Sequence, residues 1–187
     1  MSINRLISSA IFGSLVTISF AEQLIGREAP AQTLTSTQIE ILRKIFRQSV
    51  NFADVILKTG DSHLLTSTKR AFVMGNTIYI PNQAYSSELL VHEMVHVWQY
   101  QHGGVSYMGG SLWGQYVGEG YDFAKGIHSG KAWHNLNPEQ QAELIEQGYA
   151  QGYFDLPSIK FIWRGEDLSS YLATAVAQLR LGKGAPS

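Results

Sequence analysis

The chain has 187 residues, a formal net charge of −1, 44% hydrophobic and 16% charged residues, and no cysteine. That length suits one domain with a sizeable core. The near-neutral balance argues against nucleic-acid binding and a basic membrane-binding face, and the lack of cysteine removes disulfides and thiolate metal sites.

Residues 1–30 stand apart. The run from Leu6 to Phe20 carries no charge, Arg5 precedes it, and Ser19-Phe20-Ala21 would suit a signal peptidase. Ser8, Ser9, Gly13, Ser14, Thr17 and Ser19 keep the run only moderately apolar, and it is short for a membrane span. Ile3, Leu6, Ile7, Ala10, Ile11, Leu15 and Ile18 recur at helical spacing. That recurrence favours a retained helix, packed on the domain or docked on a partner or membrane, over a cleaved signal. Residues 31–187 are expected to form the domain.

Thr37 with Glu40 resembles a capping box and predicts a helix through Gln48 carrying Ile39, Leu42, Ile45 and Phe46. Residues 53–58 read as a short strand. Residues 71–74 and 77–80 around Gly75-Asn76 read as a hairpin, ended by Pro81 as on a sheet edge. Such an edge could pair with an extended peptide.

Residues 86–101 read as one apolar helix containing His92-Glu93-Met94-Val95-His96. Histidines four apart on a helix project from one face and can reach one Zn²⁺. Glu93 faces the same cavity and can take a proton from a water that the cation has made acidic. This is the HExxH pattern of zinc hydrolases, chiefly peptidases. Leu89, Leu90, Val91, Met94, Val95, Val97 and Trp98 surround it, so the helix should be buried, and a buried His-Glu-His cluster is costly unless a metal satisfies it.

Residues 103–136 are rich in glycine and aromatics and would shape a cleft; Tyr121, His128 and His134 are the candidate donors to an oxyanion. Asn137, Pro138 and Gln140 form a helix start, with Glu139 and Glu143 on one face. Alone, these acids would read as a solvated helix start. A last helix is expected over 166–181, with Gly182 past its end.

A third metal ligand has two candidates. His102 stands where the longer metzincin pattern has its third histidine. That pattern needs a glycine three residues after the second histidine, and Gln99 occupies the position, letting the helix carry His102 away. Glu139 is therefore favoured, with Glu143 accepting a hydrogen bond from the free ring nitrogen of a ligand histidine.

Glu139, followed four residues later by the acid Glu143 with Ala142 just before it, resembles the second half of the gluzincin signature, while Leu34-Thr35, Asn76–Ile80, the Val-Trp-Gln extension after HExxH and the Glu139-Gln140-Gln141-Ala142-Glu143 block together carry a more specific resemblance. More closely, residues 33–153 resemble small bacterial zincin domains of Vgr-related proteins of type VI secretion, relatives of the metallopeptidase-like domain of extracellular contractile injection systems. The resemblance implies ligands His92, His96 and Glu139, Glu93 as general base, and a secreted effector or accessory factor. Its partners would be a protein or cell-wall peptide substrate, a secretion apparatus or an immunity protein.

The expectation is an α+β, mostly helical zincin-like domain with a small antiparallel sheet, acting as a zinc-dependent hydrolase of amide bonds. The rivals are a non-catalytic, zinc-stabilised interaction module of a secretion machine, and a metzincin-like peptidase using His102.

Overall fold

The computed structural model describes residues 6, 8–14, 17, 29–60, 70–81, 85–106, 120–156 and 158–186. The fold is α+β: a small sheet and several helices packed around one buried helix. The helix α1 (Ser36–Phe46) starts two residues earlier than Thr37 and Glu40 suggest. Two overlapping capping boxes compete there, and the structure uses Thr35 and Gln38. The Gln38 N–H donates to Thr35 Oγ1 at 3.3 Å and the Thr35 N–H to Gln38 Oε1 at 2.7 Å.

The sheet contains β1 (Ala31–Gln32), β2 (Ile56–Thr59), β3 (Phe72–Met74) and β4 (Thr77–Ile80), in the order β1-β2-β4-β3. It is mixed rather than wholly antiparallel. The β3–β4 hairpin forms as expected, with Gly75 at φ 64° in its turn, but it inserts β4 beside β2 in parallel. A parallel pair needs a crossover, which the chain from Gly60 through β3 supplies. So β4 is an interior strand, and β1 and β3 are the edges. Ile78, Tyr79 and Ile80 are accordingly all buried, the pattern of a strand covered on both faces. Pro81 follows the last paired residue, so its missing N–H costs no ladder bond.

The long helix α2 (Ser87–Gly103) is capped by Ser86, whose Oγ accepts from the Leu89 N–H at 3.1 Å. It ends at Gly104, φ 69°. Every residue from Leu90 to Gln99 is buried, so this helix is the centre of the core. Its main neighbour is α4 (Pro138–Ala150), and β3 and β4 pack on another side. Trp98, fully buried, donates its indole N–H to the Leu179 carbonyl at 3.0 Å and so ties α2 to the last helix. Burying a side chain of this kind contributes about 1.5–3 kcal/mol or more.

A short helix, α3 (Phe123–His128), precedes α4. After α4 the chain forms a hairpin, β5 (Ile162–Trp163) and β6 (Glu166–Asp167), before α5 (Ser169–Arg180). The sequence reading had run a helix through this hairpin from 166. Arg164 and Gly165 both take positive φ, 50° and 86°, as a tight two-residue turn requires. At the amino terminus residues 8–14 are helical, and Phe12 stacks on Tyr100 of α2 with ring centroids 6.0 Å apart. Among the described residues no helix is long and apolar enough to cross a membrane.

Candidate metal centre

His92 and His96 lie one turn apart on α2, with ring centroids 5.1 Å apart and planes at 73°. Both are buried because α2 is buried all round. Opposite them, the first turn of α4 supplies Glu139, which is 1% exposed. Its position follows from local chemistry. Asn137 Oδ1 accepts from the Gln140 N–H at 2.8 Å, Gln140 Oε1 accepts from the Asn137 N–H at 3.1 Å, and Pro138 opens the helix. Gln140 Nε2 also donates to the Asp122 carbonyl at 3.0 Å, fixing the start of α4 to the start of α3.

The Glu139 carboxylate faces both rings. Oε2 is 3.4 Å from His92 Nε2 and Oε1 is 3.5 Å from His96 Nε2. These separations exceed the usual 2.7–3.2 Å of an N–H···O bond. One carboxylate oxygen faces each ring, and ligand atoms of all three residues lie within 4.8 Å of one another, close enough to share one cation with nitrogen and oxygen donors. The donor set of two imidazoles and one carboxylate is therefore the right size and chemistry for one such cation, and all three groups are buried around a common point.

The outward ring nitrogens are both used. His92 Nδ1 is 2.8 Å from Glu146 Oε2, and His96 Nδ1 is 2.8 Å from Gln99 Oε1. Sequence reasoning gave the first of these positions to Glu143. In the structure Glu143 Oε1 accepts from Gln147 Nε2 at 3.0 Å, and Glu146 meets the ring. Helix geometry gives the reason: at 100° per residue, Glu143 lies about 40° round α4 from Glu139, whereas Glu146 lies only about 20° from it. Gln99 was read only for its effect on the backbone; its side chain, fully buried, is what touches the second histidine.

Glu93 is 4% exposed and its Oε2 makes no hydrogen bond. Burial pushes its pKa up, partly opposed by His92 and His96. For His92, burial favours the neutral ring, but the Glu139 and Glu146 carboxylates facing it outweigh that and raise the pKa to about 10. For Glu139, burial acts against ionisation, but the two histidines facing it hold the carboxyl far below its usual range.

Of the three candidate oxyanion donors, only Tyr121 is at this cluster. Its ring lies 6.0 Å from that of His92. Burial and the nearby Glu139 carboxylate raise its pKa. His128 is paired with Glu166 at the surface, Nε2 to Oε2 2.6 Å, and His134 is exposed. His102 also points elsewhere. Its Nε2 is 2.7 Å from the Ser49 carbonyl and its ring lies against Trp98, so α2 does carry it away from the cluster. Gly103 and Gly104 end the helix after it, as the sequence suggested.

No protein-family model and no curated protein matches this chain. Among solved structures it is similar to the effector domain of Pseudomonas aeruginosa VgrG2b, with 21% sequence identity and a TM-score of 0.49, covering 78% of this chain and 88% of that one.

Proposed function

We propose that this chain is a zinc-dependent hydrolase of amide bonds, with His92, His96 and Glu139 holding the metal and Glu93 acting as general base. The observation that carries the reading is the His92–Glu139–His96 triangle. Its ligand atoms lie within 4.8 Å of one another, its histidine–carboxylate separations of 3.4 and 3.5 Å are long for hydrogen bonds, and two imidazoles with a carboxylate suit a shared cation. Bound zinc would polarise a substrate carbonyl and make a water in the fourth position acidic at neutral pH.

The chain's own groups do the rest. Glu93 is poised as the base because its Oε2 is buried and unpartnered, and burial moves its pKa toward the working range. It takes the proton of the attacking water and hands it to the leaving amine. Tyr121, whose pKa is raised, keeps its proton at neutral pH and can donate it in a hydrogen bond to the carbonyl oxygen as charge develops there. Glu146 and Gln99 hold the two rings. The edge strand β3, beside the metal-site helix α2, can align an extended peptide.

The substrate class is a protein or a cell-wall peptide. A role as an exported effector or accessory factor of type VI secretion, with the apparatus or an immunity protein as partner, rests on the resemblance of residues 33–153 to Vgr-related zincin domains. The test is zinc content together with hydrolysis of casein and of peptidoglycan peptides by the purified chain. About one zinc per chain and hydrolysis lost on chelation and restored by zinc are expected. A folded, zinc-loaded chain that cleaves neither would leave the non-catalytic interaction module as the reading.

A further inference from the structure

Two glutamines next to the centre, Gln99 and Gln141, are 0% exposed, and their amides form a continuous line of hydrogen bonds. Gln141 Nε2 donates to two backbone carbonyls, Trp133 O and Gly184 O, each at 2.9 Å. Gln141 Oε1 accepts from Gln99 Nε2 at 3.0 Å. Gln99 Nε2 donates also to the Pro138 carbonyl at 3.1 Å. Gln99 Oε1 then lies 2.8 Å from His96 Nδ1.

An amide can in principle be turned end for end, with its oxygen and nitrogen exchanged. Here the direction is forced, because a backbone carbonyl can only accept. Trp133 O and Gly184 O therefore require the NH₂ end of Gln141, which turns its oxygen toward Gln99. Pro138 O and that oxygen then require the NH₂ end of Gln99, which turns its oxygen toward His96. His96 must carry a proton on Nδ1, so that when the ring is neutral its lone pair is on Nε2, facing Glu139.

We infer that Gln99 and Gln141 form an amide relay that fixes the tautomer of His96, anchored at its far end by the carboxy-terminal segment 182–186 through the Gly184 carbonyl. The inference rests on the proposed zinc site only where it concerns metal affinity; the proton position stands without it.

The two histidines are thus held by different chemistry. His92 meets Glu146, a carboxylate that accepts in any orientation and lies in a partly exposed position. Gln99, beside His96, is fully buried, and a carboxylate there would add a further buried negative charge to those of Glu93 and Glu139. A neutral amide avoids that, but needs something to stop it turning over. Gln141 and the tail supply it. The tail is closely fitted: Gly182 and Gly184 have φ of 68° and 87°, and Trp133 Nε1 donates to the Lys183 carbonyl at 3.2 Å. A Cβ at Gly184 would lie 2.5 Å from Trp133 Cδ1. The Val-Trp-Gln and Glu-Gln-Gln-Ala-Glu motifs gain a physical meaning: one contributes Gln99, the other Gln141.

The test reads the ring nitrogens of His96 by ¹⁵N-histidine NMR on the metal-free chain, at a pH where the ring is neutral. The comparison is stringent, because without the relay the Glu139 carboxylate would draw the proton to Nε2. The wild type is expected to carry it on Nδ1. Gln99→Glu keeps an acceptor and should keep the proton there. Gln99→Leu and Gln141→Leu should let it move to Nε2 and lower zinc affinity by roughly 10–100-fold, the usual cost of losing a group that orients a ligand. Gly184→Ala alters neither glutamine and should act in the same direction. A role in packing alone would rank the variants the other way, since leucine suits a buried site better than a charge. A wild-type His96 protonated on Nε2 overturns the inference, as does a folded Gln99→Leu or Gly184→Ala chain with unchanged tautomer and zinc affinity. A wild type with the proton on Nδ1 but no zinc uptake would overturn the proposed function and leave the relay standing.

Discussion

Glu146 Oε2 lies 2.8 Å from His92 Nδ1, while Glu143, one turn earlier on the same helix, is bonded to Gln147 instead. The carboxylate that orients the first histidine is therefore two turns from Glu139, not one. Glu146→Ala should weaken zinc binding by roughly 10–100-fold, and Glu143→Ala should change it much less. Competition against a chromophoric chelator measures both. Equal losses in the two variants would show that the geometry around His92 does not depend on this contact.

Removing Glu139 should have a larger effect. It is the only group facing the Nε2 atoms of both rings in the proposed ligand set, so Glu139→Ala should leave the chain largely zinc-free by elemental analysis. His102→Ala should keep full zinc. It should cost about 1 kcal/mol of stability instead, from the lost hydrogen bond to the Ser49 carbonyl, visible in the melting temperature. Zinc lost from the His102 variant and retained in the Glu139 variant would favour the metzincin-like arrangement.

These contrasts show which parts of the centre were legible in the sequence. His92, Glu93 and His96 could be grouped because helical periodicity is local, and the apolar residues around them announced burial. Glu139 could be placed because Asn137, Pro138 and Gln140 are cap residues whose chemistry acts within one turn. Glu146 could not, because its role depends on how α4 lies across α2, although its spacing of two turns from Glu139 was a usable signal. Gln99 was visible only as a departure from a turn pattern; that its side chain is an acceptor for His96 depends on Gln141, 42 positions away. The sheet follows the same rule. The hairpin was local and readable, whereas the insertion of β4 beside β2 is a long-range choice that the unbroken burial of Ile78, Tyr79 and Ile80 hints at only in retrospect. At α1, two overlapping capping boxes gave the sequence no way to choose.

The metal-free protein should lose stability as pH rises from about 6.5 to about 10. The sign follows from His92, whose pKa in the folded chain is about 10 against 6.5 for an unperturbed ring. A raised pKa means that folding favours the protonated ring. Its contribution is complete below the unfolded pKa and disappears as pH rises through the folded one. His96 shifts in the same direction. Zinc binding should run oppositely, gaining affinity over the same range because the rings must lose protons to bind. Melting temperatures from pH 6 to 10, with and without zinc, test both slopes. A flat metal-free profile would mean that the rings are not held by Glu139 and Glu146 in solution.

Glu93 separates catalysis from metal binding. It stands outside the proposed ligand set, its Oε2 has no hydrogen-bond partner, and burial already penalises its charge. Glutamine has the same shape, so Glu93→Gln removes a buried negative charge without opening a cavity, and the fold and zinc content should hold. What it removes is the base, which typically supplies ~10²–10⁴-fold in rate. Hydrolysis should therefore fall by that order while the melting temperature stays level or rises slightly. If a zinc-loaded Glu93→Gln chain cleaves peptides as fast as the wild type, the proton must leave by another group. Tyr121, whose ring lies 6.0 Å from that of His92, would be the next residue to change.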